Sequence, residues 1–93
     1  MVRITNPDKY ILKSYEIHPG AKKYNAILQN KKTGDIIKVA FGDKNYQQYH
    51  DKIGHYKHLD HNDVKRRMLY HARHINDKDY KYSSGWFSAK MLW

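Results

Sequence analysis

Residues 21–41, "AKKYNAILQNKKTGDIIKVAF", decide how the first half of this chain folds. Tyr24, Ala26 and Leu28 fall on one side of the first run, and Ile37, Val39 and Phe41 alternate with Ile36, Lys38 and Ala40 in the last. A repeat of two sends successive side chains to opposite faces of a strand, so each run reads as a strand with one buried face. The polar "NKKTGD" between them, with Gly34 suited to left-handed backbone, reads as a hairpin loop at 30–34.

The flanks extend this pattern. "KYILKSYEI" alternates loosely, with Ile11, Tyr15 and Ile17 on one side. "HPG" at 18–20 joins it to the hairpin, since Pro19 fixes its own φ and Gly20 accepts the positive φ of a type II turn. Residues 8–42 are therefore expected to form a three-stranded antiparallel meander. Residues 43–58 are polar and rich in tyrosine, with room for a helical turn or two that Gly54 would end.

Residues 60–76 carry the strongest helical pattern. Asp60 is placed to cap the first turn, Asp63 follows three residues on, and Leu59 and Val64 sit at hydrophobic-staple spacing. Val64, Met68, Ala72 and Ile75 form one stripe, with His71 at its edge, while Arg66, Tyr70 and Arg73 lie opposite, flanked by Lys65, Arg67 and His74. The spacing predicts a helix with its apolar side buried and its basic side in water. "GWFSAKMLW", within the 84–93 aromatic segment, is expected to be a short terminal helix on which Trp86, Ala89 and Trp93 share a face. So much apolar surface is costly to leave wet, so the segment should close the core; insertion into a partner is the alternative. The fold class expected is a single α+β domain, 1–93. In it a small three-stranded antiparallel sheet packs against one main helix plus a short C-terminal helix.

Composition narrows the partners. Eighteen Lys and Arg oppose nine Asp and Glu, a formal charge of +9 with a sequence pI near 9.7. A domain this basic attracts polyanions. Nine tyrosines against two Phe and two Trp imply a thin core under a broad amphipathic skin, because each phenol needs water or a partner. The absence of cysteine excludes disulfides and thiolate metal sites. No apolar run approaches the roughly 18–20 residues of a membrane span, and the first ten residues lack the apolar core of a secretory signal. The reading is a soluble protein of a reducing compartment, not secreted, with no membrane partner.

Two constellations suggest chemistry and are set aside. His55, His58 and His61 are spaced by three, as are His71 and His74. Such pairs can share a zinc ion, but the first three straddle a loop and a helix start, and no H-E-x-x-H arrangement is present. No metal and no cofactor are expected. Asp60-His61-Asn62 resembles the Asp-His pair of some metal-dependent nucleases, which place it on a strand leading into a hairpin; here it opens a helix. No catalytic residue is assigned, and nuclease chemistry is the weakest of the readings.

The basic helix is the candidate site. Lys57, Lys65, Arg66 and Arg73 are placed to neutralise phosphates, and Tyr70 and His74 to stack or hydrogen-bond. Lys22, Lys23, Lys31 and Lys32 on the hairpin turns extend the patch. No base-reading motif occurs, so binding is expected to be sequence-nonspecific.

"FGDKNYQQY", "HLDHNDVKRRMLYHARH" and "GWFSAKMLW" together resemble a family of small basic proteins encoded by large DNA viruses of algae and protists, with relatives in iridescent-type and some phage genomes. The motifs are F-G-x3-Y-x2-Y, H-x-D-x2-R-x3-Y-x2-R-H and G-W-x-S-x3-L-W. They are carried by Phe41, Gly42, Tyr46 and Tyr49; by His61, Asp63, Arg66, Tyr70, Arg73 and His74; and by Gly85, Trp86, Ser88, Leu92 and Trp93. The resemblance covers residues 41–93 and implies a viral protein of the virion or the infected cell, without bringing an activity. The expected function is a non-enzymatic, virion- or genome-associated protein that binds nucleic acid, DNA favoured over RNA. The alternative is a viral assembly module that contacts a viral protein, or itself as a homo-oligomer, through its Tyr/Trp-rich surface.

Overall fold

In the computed structural model, which describes residues 6–75 and 80–93, the 21–41 stretch forms the hairpin its alternation predicts. Strand β2 (Lys22–Asn30) pairs antiparallel with β3 (Ile36–Asp43), setting Tyr24 opposite Phe41, Ala26 opposite Val39 and Leu28 opposite Ile37. The loop is closed by Asn30, whose side-chain oxygen accepts from the Lys32 and Thr33 amides at 2.9 and 3.1 Å. Gly34 then takes φ +78°, a conformation that costs a residue with a Cβ about 1–2 kcal/mol.

Strand β1 (Tyr10–Ile17) adds to the outer side of β2 and completes an antiparallel sheet in the order β1-β2-β3. The expected phase of β1 changes partway. An irregularity between Leu12 and Ser14 shifts the register, so Leu12 pairs with Leu28 while Ile11 pairs with Gln29. Leu12, and not Ile11, therefore shares the face of Tyr15 and Ile17. The 18–21 turn also differs from expectation: Gly20 is not among the positive-φ glycines, and His18 closes the turn by accepting the Gly20 amide on Nδ1 at 2.9 Å.

Helix α2 (Ser84–Met91) covers the sheet. Ser83 caps it by accepting the Trp86 amide, and the Ser84 hydroxyl donates to the Ala40 carbonyl at 2.8 Å, fixing the helix start to β3. Phe87 and Leu92 are buried with Tyr24, Ala26, Leu28, Val39, Phe41 and Tyr82, and the Phe87 ring stacks on Phe41 at 5.5 Å. Gly42 permits this approach: it has φ +75°, and a Cβ there would stand 2.8 Å from Leu92 Cδ1. The terminal aromatic segment thus closes the core, as its composition requires.

Helix α1 (Val64–Arg73) is shorter than the 60–76 pattern predicts, and Asn76 lies outside the described residues. Asn62 has φ +53°, which breaks helical backbone after residue 60, so the helix starts only beyond it. Asp63 rather than Asp60 is the cap, accepting from the amides of Lys65 and Arg66 at 3.0 and 3.2 Å. The Leu59–Val64 staple does not form, since Val64 is 56% exposed. No described helix is long and apolar enough to cross a membrane.

Candidate nucleic-acid interface

The largest departure from the sequence pattern is the rotation of α1. Val64, Met68, Leu69 and Ile75 are all more than half exposed, whereas Tyr70, His71 and His74 are partly covered. The helix has its apolar stripe outward and its cationic, aromatic side inward, the reverse of the amphipathic rule. The cause lies in what it packs on. The apolar face of the sheet is already occupied by α2, and α1 meets Trp93, Tyr49 and Gln47 instead.

These partners suit Arg, Tyr and His. Tyr70 stacks on Trp93 with ring centroids 4.3 Å apart and planes 2° from parallel. His74 stacks on Tyr70, also at 4.3 Å, too close for the two neighbours to share a face, so the phenol ring is sandwiched. Arg67 donates from Nε to the Trp93 backbone oxygen at 2.7 Å and lies 5.2 Å from the centre of the Tyr49 ring. His71 Nε2 donates to the same oxygen at 3.2 Å, and Arg66 donates to the Gln47 side-chain oxygen at 2.9 Å.

The inward face of α1 forms one wall of a cleft of about 900 Å³. Residues 40–43 of β3, the first residues of α2, and Trp93 against Tyr70 make up the rest of the lining, and Lys22 and Lys23 join it from β2. Among the described residues, Lys22, Lys23, Arg66 and Arg73 line this cleft with one carboxylate, Asp43, and His74 lies beside them. Lys23 is 1% exposed; its ammonium donates to the Tyr46 carbonyl at 2.7 Å. Burial pushes its pKa down, and the negative charges of Asp51, Asp43 and Asp60 oppose that shift. The start of α2, with Ser84 and Gly85 in the lining, adds the positive end of a helix dipole.

Of the residues assigned from sequence, Arg66, Tyr70, Arg73 and His74 come together in this cleft. Lys65 points to solvent from the other side of α1, and Lys57 sits in a short 3-10 turn, Lys57–Leu59, outside the lining. Lys22 and Lys23 join the site, whereas Lys31 and Lys32 lie at the far end of β2, roughly 26 Å away along the strand. The two sandwiching rings leave Tyr70 no open face for a base. Tyr46, 69% exposed at the cleft, has one. Sequence reasoning missed Tyr46 and Gln47 as site residues, although Tyr46 stands in the first motif.

The Asp60-His61 pair has structural work. Asp60 Oδ1 accepts from Gln48 Nε2 and from the Asp51 amide at 2.8 Å, and its other oxygen lies 3.3 Å from His50 Nδ1. His61 Nδ1 accepts the Asp63 amide at 2.9 Å. Asp51 in turn accepts the Tyr24 hydroxyl at 2.6 Å and the amides of Ile53 and Tyr56. Burial alone would raise the Asp51 carboxyl, but these hydrogen bonds outweigh it and hold the pKa below its ordinary value. This network anchors the 46–61 loop to the sheet and so positions Gln47 and the start of α1. Among the described residues, no three His, Asp or Glu side chains are grouped to hold a metal ion. Compared with protein-family models, curated proteins and solved structures, the chain matches none.

Proposed function

We propose that the protein binds single-stranded nucleic acid through its phosphates, and that the binding site is the cleft between α1, α2 and the sheet. The observation that carries this reading is the convergence of Arg66 and Arg73 from α1 with Lys22 from β2 on one concavity, with the buried Lys23 ammonium held behind them by the Tyr46 carbonyl. Guanidinium groups match phosphate oxygens in pairs, and Gln47 already orients one of them. A cleft of about 900 Å³ accepts an extended strand more readily than a duplex, whose phosphates ride on a broad convex surface. Tyr46 at the rim offers a ring to an unpaired base, a contact indifferent to base identity. The basic side of α1 thus keeps the role its composition suggests, with a changed setting: it faces a groove, and Lys65 and Lys57 lie outside it.

The three motifs in their order support a virion- or genome-associated viral protein, and the basic balance of the chain supports a polyanionic partner. Affinity for single-stranded and duplex DNA and RNA, measured by fluorescence anisotropy at two salt concentrations, tests the proposal. Single strands are expected to bind more tightly. Arg66→Ala combined with Arg73→Ala should weaken binding and flatten the salt dependence by about 1.4 in log–log slope, for two lost phosphate contacts. An unchanged slope in the double variant rules the cleft out.

A further inference from the structure

The side of α1 turned away from the cleft is apolar and open to solvent. Val64, Met68, Leu69 and Ile75 are between 54% and 68% exposed. At 3.6 residues per turn Val64, Met68 and Leu69 run along one arc of the helix with Ala72 among them, and Ile75 follows just past its end, an exposed apolar ridge of the kind that marks interaction sites. Within that arc, between Ala72 and Leu69, stands Lys65, and Arg73 borders it; both are exposed, and α1 contains no Asp or Glu.

We propose that this ridge docks an amphipathic helical segment of a partner protein whose apolar stripe is accompanied by Asp or Glu, one carboxylate opposing Lys65. Charge selects this occupant over two others. A second copy would set Lys65 and Arg73 against like charges on a chain of +9. A lipid surface that took in Met68 and Leu69 would draw the Lys65 ammonium towards hydrocarbon, whereas a protein helix supplies a fixed carboxylate at the required place. The ridge and the cleft lie on opposite sides of the same helix and meet only at Arg73, which lines the cleft and borders the ridge.

The test titrates the full chain with a helical peptide bearing a leucine stripe flanked by glutamates, and with a twin carrying lysines in their place. The glutamate peptide is expected to bind at least ~10-fold more tightly than its twin. Met68→Glu should weaken it by a similar factor, and Lys65→Glu should weaken it while strengthening the lysine twin. Equal binding of the two peptides, or unchanged binding to the Met68→Glu variant, overturns the proposal. So does absence of peptide binding, whether or not the ridge sediments with phosphatidylserine vesicles or drives self-association in analytical ultracentrifugation.

Discussion

Replacing Met68 with lysine tests the orientation of α1, on which both proposed surfaces depend. Met68 is 68% exposed, so the folded protein already leaves most of this side chain in water. Lysine is as good a helix former, and the change should cost no more than about 0.5 kcal/mol, as for surface positions generally. Were the stripe packed on the sheet, loss of a buried methionine alone would cost about 2–5 kcal/mol, before counting the buried charge. Tyr70→Ala is the counterpart on the inner side. It removes two ring stacks, each about 0.5–1.5 kcal/mol beyond area burial, for a total of about 1–3 kcal/mol. Urea unfolding separates the cases: with a slope near ~1 kcal/mol per molar, Tyr70→Ala should lower the midpoint by about 1 M or more and Met68→Lys by less than ~0.5 M. Amide exchange along 64–73 adds a local readout, since undocking of α1 alone exposes those amides. A Met68→Lys variant as destabilised as Tyr70→Ala means the helix faces the other way, and both surfaces fall with it.

Gly42→Ala combines a left-handed backbone with a Cβ 2.8 Å from Leu92 Cδ1, and should cost about 2–5 kcal/mol in the same urea assay, the sum of conformational and overpacking penalties; a loss under ~1 kcal/mol would show that α2 shifts at little cost. The pKa of His61 is lowered, first by burial and then by the Arg66 charge, with Asp63 and Asp60 opposing. The folded protein therefore binds fewer protons there than the unfolded chain just below the ordinary histidine value. On that account stability rises with pH up to about 6.5 and declines as pH falls below it. His61→Asn retains an acceptor for the Asp63 amide without a titrating ring, so its stability between pH 5 and 7 should vary less than that of the parent protein; parallel curves would exclude His61 as the source.

The sheet was legible in the sequence because period-two alternation is a local signal. Tyr24, Ala26, Leu28, Val39 and Phe41 end buried on one face as their spacing predicts. The shift after Leu12 was hidden, since it depends on pairing with β2 and leaves no mark in "KYILKSYEI". The helix start lies three residues later than its pattern suggests: Asp60 and Asp63 are equally good caps by type, and only the left-handed Asn62 selects the second. The membership of Arg66, Tyr70, Arg73 and His74 in one site could be read from helical spacing. Lys22 and Lys23 lie across the fold from them, and Tyr46 lies on a loop with no periodicity, so their approach is purely tertiary.

The rotation of α1 follows from a competition that helical periodicity does not describe. One apolar sheet face is available, and two segments are suited to cover it. Residues 84–93 bring Trp86, Phe87, Met91, Leu92 and Trp93, whereas the stripe of α1 brings Val64, Met68, Ala72 and Ile75. The larger aromatic area gains more from burial, and the Gly42 notch lets its helix approach closely, so α2 takes the face. What remains for α1 is a surface of ring faces and oxygens: Trp93, Tyr49 and Gln47. On such a surface planar cations and aromatic rings gain stacking, cation–π and hydrogen-bond partners that aliphatic chains cannot use. The polar side of α1 is therefore its docking side, and the cations left at the edge of that contact are those that line the cleft.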